Sequence, residues 1–316
     1  MESASETVAP RTSQARPRRR ISRDRLISLA LIAPSILAIA VFVYGFIGWT
    51  GFISLTKWAD LLPDYRWNGL ANYVRLFGSD ERFRQTLLNN TIFTIFFISA
   101  CLGLGLLLAI ILDRKIRGEG LFRTIFLFPM AVSFIVTGVV WRWILNPGTA
   151  DRVTGINQLF DNVGLGFLKW DWFLDRQWGI LAVVLAAVWQ MSGYTMAMFL
   201  AGLRAIPDDL REAARVDGAS ESDVLWHITL PLLKPILVSS VIILGHISLK
   251  IFDLTSAMKV GGASKPGDVP GYYMYETTFR GNNFARGAAI AIIMLVFVAV
   301  LIIPYLISTF RSEAEA

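Results

Sequence analysis

The 316-residue chain is short of charge, cysteine and histidine. Charged residues make up 17% of it, against 54% hydrophobic ones, whereas a soluble domain carries roughly 25% charge. That deficit excludes an ordinary soluble globule and points to a polytopic membrane protein. The one cysteine, Cys101, lies inside an apolar run, so no internal disulfide can form. The two histidines, His227 and His246, stand far apart, and no Cys/His cluster has the spacing of a metal site. No G-x-x-x-x-G-K-[ST] phosphate loop is present, which excludes ATP hydrolysis by that route. Internal repeats, low-complexity arrays and a recognisable soluble catalytic domain are also missing. No nucleophile–base constellation suggests an intramembrane enzyme.

What the chain does have is apolar length. A helix needs about 20 apolar residues to cross a bilayer. Six stretches qualify: 26–48, 90–112, 121–145, 179–203, 236–256 and 286–310. They predict an all-α, polytopic transmembrane helical bundle with six spans over residues 26–310. The first stretch is too long for a signal-peptide core. The formal charge of +6 could suggest nucleic acid, but its placement argues otherwise. Seven arginines fall between Arg11 and Arg25, just before the first apolar run. That is the pattern of a cytoplasmic N-terminus, on a tail (1–25) whose Ser, Ala, Pro and Arg content predicts disorder.

With the N-terminus inside, the loops at 113–120 and 204–235 and the tail 311–316 are cytoplasmic. The loops at 49–89, 146–178 and 257–285 are then outside. Arg114, Lys115, Arg117 and Arg123 crowd the first inner turn. Trp49, Trp58, Trp67, Trp141, Trp143, Trp170, Trp172 and Trp178 gather at outer span ends or in outer loops, where amphipathic rings favour the headgroup layer.

The inner segment "REAARVDGASESDVLWHITLPLLKP" (211–235) breaks this pattern. From Arg204 to Lys234 there are four basic and six acidic residues. Pro207 suits the first position of a helix, and Asp208 and Asp209 favour its positive end. Gly218 fits a left-handed C-cap. Ser220 with Asp223 reads as a variant capping box for a second short helix, bounded by Pro231 and Pro235. Ala213 and Ala214 allow close approach of another surface. A helix pair lying on the membrane is one reading, but anionic headgroups repel an acidic pair. The other is a docking surface for a cytoplasmic partner.

Glu212-Ala213-Ala214, Gly218, Ile228 and Leu230-Pro231 stand at fixed spacing and resemble the EAA loop of binding-protein-dependent ABC importer permeases. Leu225, with Trp226 next to it, stands where that family often has Phe. "VVWRWILNP", "VWQMSGYTMAMFLAGLRAIP" and "FDLTSAMKVGG" are similar to its carbohydrate-uptake branch, the maltose and glycerol-phosphate permeases. "LDRKIRGEGLFRTIFLFPMAVSFIVTGVVWRWILNPG" and "HISLKIFDLTSAM" resemble glucose/mannose-type bacterial sugar permeases. Gly261-Gly262-Ala263 replaces the frequent Gly-Gly-Pro. The resemblance implies a type I ABC importer permease fold in the bacterial cytoplasmic (inner) membrane. It implies that Glu212, Ala213, Ala214, Asp217, Gly218, Ile228, Leu230 and Pro231 contact an ATPase. The implied partners are a second homologous permease subunit, two ATPase subunits and an extracytoplasmic sugar-binding protein. This chain would bind no cofactor; ATP and Mg would belong to the ATPase.

A sugar pathway needs polar groups inside the bundle, where they are costly unless they face a cavity or a neighbour. His246, Lys250 and Asp253 are spaced i, i+4, i+7 and predict one helical face, with Ser239 extending it. Gln190 and Tyr194 share another face, beside Trp189 and Gly193. Asn89 and Asn90 could cap the second span. The same groups could instead join helices to one another, and Lys250 and Asp253 could pair. A proton relay through His246 and Asp253 would suit a stand-alone proton-coupled carrier, which would have no use for the 211–235 loop.

Overall fold

The computed structural model describes residues 23–315, apart from 115, 150–151, 173–174, 176–177 and 259–266. Lys115, the Gly261-Gly262-Ala263 turn and most of the basic tail therefore lie outside the described residues. The chain divides into two compact units, residues 1–49 and 50–316.

In the first unit, α1 (Arg23–Ile39) runs into a π-helical turn, Ala40–Gly45, and then into the start of α2 (Phe46–Ser54). Of the tail expected to be disordered, residues 1–22 lie outside the described residues, and α1 takes in Arg23 to Arg25. Its apolar part, Ala30–Ser54, lies later than the expected 26–48 and buries none of its most apolar stretch. From Ala30 to Trp49 every residue is exposed, and an apolar stretch of this length is what hydrocarbon solvates well.

In the second unit, α3 (Ala71–Gly78) leads to α4 (Glu81–Asp113), the longest helix. Asp80 caps α4, its carboxylate accepting from the Phe83 N–H at 3.0 Å. Asn89 and Asn90, expected as caps, are instead buried inside this helix, which starts eight residues before Asn89. α5 (Glu119–Ala131) and α6 (Phe134–Ile144) follow, then a two-residue hairpin of β1 (Gly148–Thr149) and β2 (Arg152–Val153), and α7 (Gly155–Asn162). The expected single span 121–145 is therefore two helices bent by 98°. Val132 is extended, and Ser133 caps α6 by accepting from the Val136 N–H at 3.3 Å. A serine cap competes with continuation of the preceding helix.

α8 (Ile180–Ala205) is the most buried apolar helix and packs more extensively on α4 than any other pair of elements does. α9 (Asp208–Val216), α10 (Glu221–Val224), a π-helical turn (Leu225–Thr229) and α11 (Leu230–Leu232) form the 204–235 segment. α12 (Lys234–Leu249) continues it at a 61° bend. Pro231 lies within this second loop helix rather than ending it. A helical proline clashes with the carbonyl four residues back, and the π turn just before it widens the helix there.

α12 stops at Leu249. Lys250 is its C-cap, Ile251 and Phe252 are non-helical, and α13 (Asp253–Met258) starts anew. The predicted helical face through His246, Lys250 and Asp253 is thus broken, because the last two leave the regular helix that carries the first. α14 (Pro270–Tyr275), a π turn (Glu276–Arg280) and α15 (Phe284–Glu315) complete the unit. α15 continues through 311–315, the expected tail. Among the described residues, four helices are long and apolar enough to cross a membrane, or up to six spans if each of the two bent pairs counts as one.

The core has three parts. The middle packs Phe93, Phe97 and Cys101 of α4 against Ala186 and Ala187 of α8 and Leu254 of α13. At the end carrying α9, Leu112, Phe199, Leu203 and Leu233 close the bundle. At the opposite end Leu76, Phe83, Tyr273 and Ile290 do so. That opposite end is also pinned by polar contacts. Arg82 bonds Asp268 at 2.7 Å, pairs with Glu276, and lies 4.7 Å over the Tyr273 ring. The Tyr273 hydroxyl donates to Asp80 at 2.6 Å; burial, then this carboxylate, push its pKa up.

Candidate functional site: a two-helix loop and a polar helix break

Local sequence builds the loop. Pro207 is the N-cap of α9, one position before the helical place expected for it, and Asp208 and Asp209 fill the first turn. The helix ends at Asp217, and Gly218 turns the chain with φ +89°. That left-handed conformation suits glycine because it has no Cβ to clash. Ser220 and Asp223 form the reciprocal capping box: the Asp223 N–H donates to Ser220 Oγ at 3.2 Å, and the Ser220 N–H donates to Asp223 Oδ2 at 3.0 Å. Arg215 then clamps α9 to α10 through Glu221 at 2.7 Å, a charge-assisted contact that holds the Arg215 pKa above its ordinary value.

The two faces of α9 differ. Glu212, Ala213, Val216, Asp217 and Gly218 are exposed, Val216 by 87%. Ala214 is half-buried and Arg211 points inward. In the second loop helix Ile228 and Leu230 are half-buried, Pro231 is exposed, and Trp226 is 65% exposed while Leu225 is half-buried. The loop therefore offers carboxylates and small or apolar side chains outward together.

Arg211 and Asp113 were not singled out from sequence. Arg211 Nη1 lies 2.9 Å from Asp113 Oδ2, and its Nη2 donates to the Leu203 carbonyl at 2.9 Å. Glu119 at the start of α5 pairs with Arg204 at 2.7 Å. These contacts border clefts beneath α9, one of about 250 Å³ lined by Asp113, Arg211, Arg215 and Glu221 among others. The available signal was an acidic residue ending a long apolar run and an arginine beside Glu212. Neither names the other.

The polar groups expected along a pathway do not form one cluster. Gln190 is 2% exposed, and its Nε2 donates to the Val132 carbonyl at 2.6 Å, where α5 and α6 break. Its Oε1 is buried without a hydrogen-bond partner. Gly193, one turn further along α8, lies against α5 so closely that a Cβ there would stand 1.8 Å from the Phe126 carbonyl oxygen. Tyr194 is half-buried. His246 is half-buried with Nδ1 unpartnered. Lys250 and Asp253 are exposed, and no ion pair joins them among the described residues. Ser239 turns its hydroxyl to the Pro235 carbonyl. A different polar seam joins α4 to α12: Asn90 Nδ2 donates to Thr94 Oγ1 at 3.3 Å, and Thr94 Oγ1 to Ser248 Oγ at 3.0 Å. No group of His, Cys, Asp and Glu able to hold a metal occurs among the described residues.

The family described as binding-protein-dependent transport system inner membrane component matches residues 101–312. A probable ABC transporter permease of Pyrococcus horikoshii is 39% identical over 93% of this chain and 99% of its own. The xylose/arabinose import permease of Haloferax volcanii is 38% identical over 86% of this chain and 84% of its own. The crystal structure of a bacterial ABC transporter involved in alginate import covers 92% of this chain and 96% of its own, with TM-score 0.75 at 22% identity. That likeness fixes the architecture as a type I importer permease fold. With a family match over most of its length and a relative aligned almost end to end, this multi-pass membrane chain belongs to the binding-protein-dependent transport system inner membrane components, the permease subunits of ABC transporters.

Proposed function

We propose that the chain forms half of the translocation pathway of an ATP-driven sugar importer in the bacterial cytoplasmic membrane, with both termini cytoplasmic. Its partners are a second homologous permease, two ATPase subunits that carry ATP and Mg, and an extracytoplasmic sugar-binding protein. The carrying observation is α9: its outward face displays Glu212, Ala213 and Val216, and Gly218 turns the chain into a second helix. Such a two-helix surface, acidic with apolar points, suits insertion into a cleft of an ATPase. Glu212, Ala213, Ala214, Asp217 and Gly218 form the first helix and turn of that contact, and Ile228, Leu230 and Pro231 shape the second helix. Family membership favours this importer over a stand-alone proton-coupled carrier.

ATP binding closes the ATPase pair, the loop moves with it, and the cavity opens outward to receive sugar. Hydrolysis returns the cavity inward. Within the pathway we assign Gln190, Tyr194, His246, Lys250 and Asp253 to the sugar, as hydrogen-bond partners for hydroxyls. The substrate we favour is a monosaccharide such as glucose or mannose, on the strength of the 112–148 and 246–258 segments. A pentose is the second reading, favoured by the name of the Haloferax relative.

Competition of unlabelled sugars against labelled glucose, mannose and xylose, in cells carrying the full system, separates these readings. Tyr194→Phe should weaken recognition of the transported sugar by roughly 0.5–1.5 kcal/mol, the worth of one hydrogen bond. Unchanged kinetics in Gln190, Tyr194 and His246 variants would return all three to a packing role.

A further inference from the structure

A helix that is pushed from outside must hand its motion to something. No residue of α9 is fully buried, so apolar packing grips it only weakly. It is held by arginines. Arg215 fastens it to α10 through Glu221, which is movement within the loop. Arg211 fastens it to the bundle. One guanidinium reaches Asp113, the last residue of α4, and the carbonyl of Leu203, in the last turn of α8, at 2.9 Å each. The Arg211 and Asp113 side chains are only 16% and 19% exposed, so water screens the pair weakly. α4 and α8 are also the two most extensively packed helices. The planar fork of arginine can hold both acceptors in fixed directions, which an ammonium cannot.

We propose that Arg211 is a positioning residue for coupling: its fork to Asp113 and Leu203 makes α9 move as one body with the α4–α8 pair. This rests on the importer reading above. It assigns to Arg211 a role separate from docking, since Glu212 and Val216 face outward while Arg211 faces the spans.

The test uses the full transporter complex in proteoliposomes, with spin labels on cysteines replacing Leu210 in α9 and Leu107 in α4. Leu210 and Leu107 are 47% and 53% exposed, and Cys101 is buried and out of reach of the label. Distances are read without nucleotide and after trapping with ATP and vanadate, alongside recovery of the ATPase subunits. In the parent the distance should not change on trapping. In Arg211→Met and Asp113→Ala it should broaden and shift, with ATPase recovery unchanged. Arg211→Lys should shift less than Arg211→Met, because it keeps the charge pair and loses the fork. A parent distance that itself shifts on trapping, or an Arg211→Met variant as fixed as the parent, overturns the proposal. Failure of the parent to bring down any ATPase would instead sink the importer reading.

Discussion

Gln190 in the middle of α8 donates its side-chain amide to the Val132 carbonyl, 2.6 Å away, at the point where a span breaks into α5 and α6. Backbone that leaves the helix at membrane depth must find partners within the protein. Gln190 supplies one, and its own Oε1 stays unpartnered. A packing role and a sugar role therefore make different demands on this side chain.

Gln190→Leu should lower the thermal stability of the detergent-solubilised complex by about 0.6–1.7 kcal/mol, the range of interhelical hydrogen bonds in membranes. Gln190→Asn, too short to keep the same reach, should lose a similar amount. A changed KM for sugar at unchanged melting temperature would place the amide in the pathway rather than at the break.

At the Gly218 turn, φ +89° is strained for a β-branched residue by roughly 1–3 kcal/mol. Gly218→Val should tilt the second loop helix while leaving the spans inserted. Protein level in the membrane should match the parent, and recovery of ATPase subunits on purification should fall. Glu212→Lys should do the same by reversing an exposed charge. Parent-level ATPase binding in both variants would remove the 211–235 loop from coupling.

At the end of the bundle away from α9, Arg82 holds two carboxylates, and the Asp268 side chain is 1% exposed. Removing one partner of a buried pair costs roughly 3–5 kcal/mol. Arg82→Met should approach the low end of that range, because Glu276 keeps 22% exposure. The readout is an earlier loss of α14 protection in hydrogen exchange. Exchange identical to the parent would show that Arg82 contributes little.

Topology can be tested at Leu62, which is 81% exposed in the 49–89 loop. Leu62→Cys should react with a membrane-impermeant maleimide added to intact cells. Cys101 needs no replacement, because it is fully buried inside α4 and out of the reagent's reach. Labelling that appears only after lysis reverses the assigned orientation.

The sequence by itself determined the membrane class and the two-helix loop. Apolar length is a property of contiguous residues, so the six stretches were legible without any packing. Gly218 and the Ser220–Asp223 box act over a few residues, and their geometry followed from residue type. The break after α12 was not legible: no proline or glycine stands between His246 and Met258. It is decided by where α13 packs, with Leu254, Thr255 and Met258 buried and α13 lying against α6. The 98° bend at Val132 depends on Gln190, 58 residues away, and on the close approach of Gly193. Arg211 and Asp113 meet across 98 residues. Such pairings arise only when α4 and α8 have packed, because sequence spacing carries no information about which helix end will lie beside which.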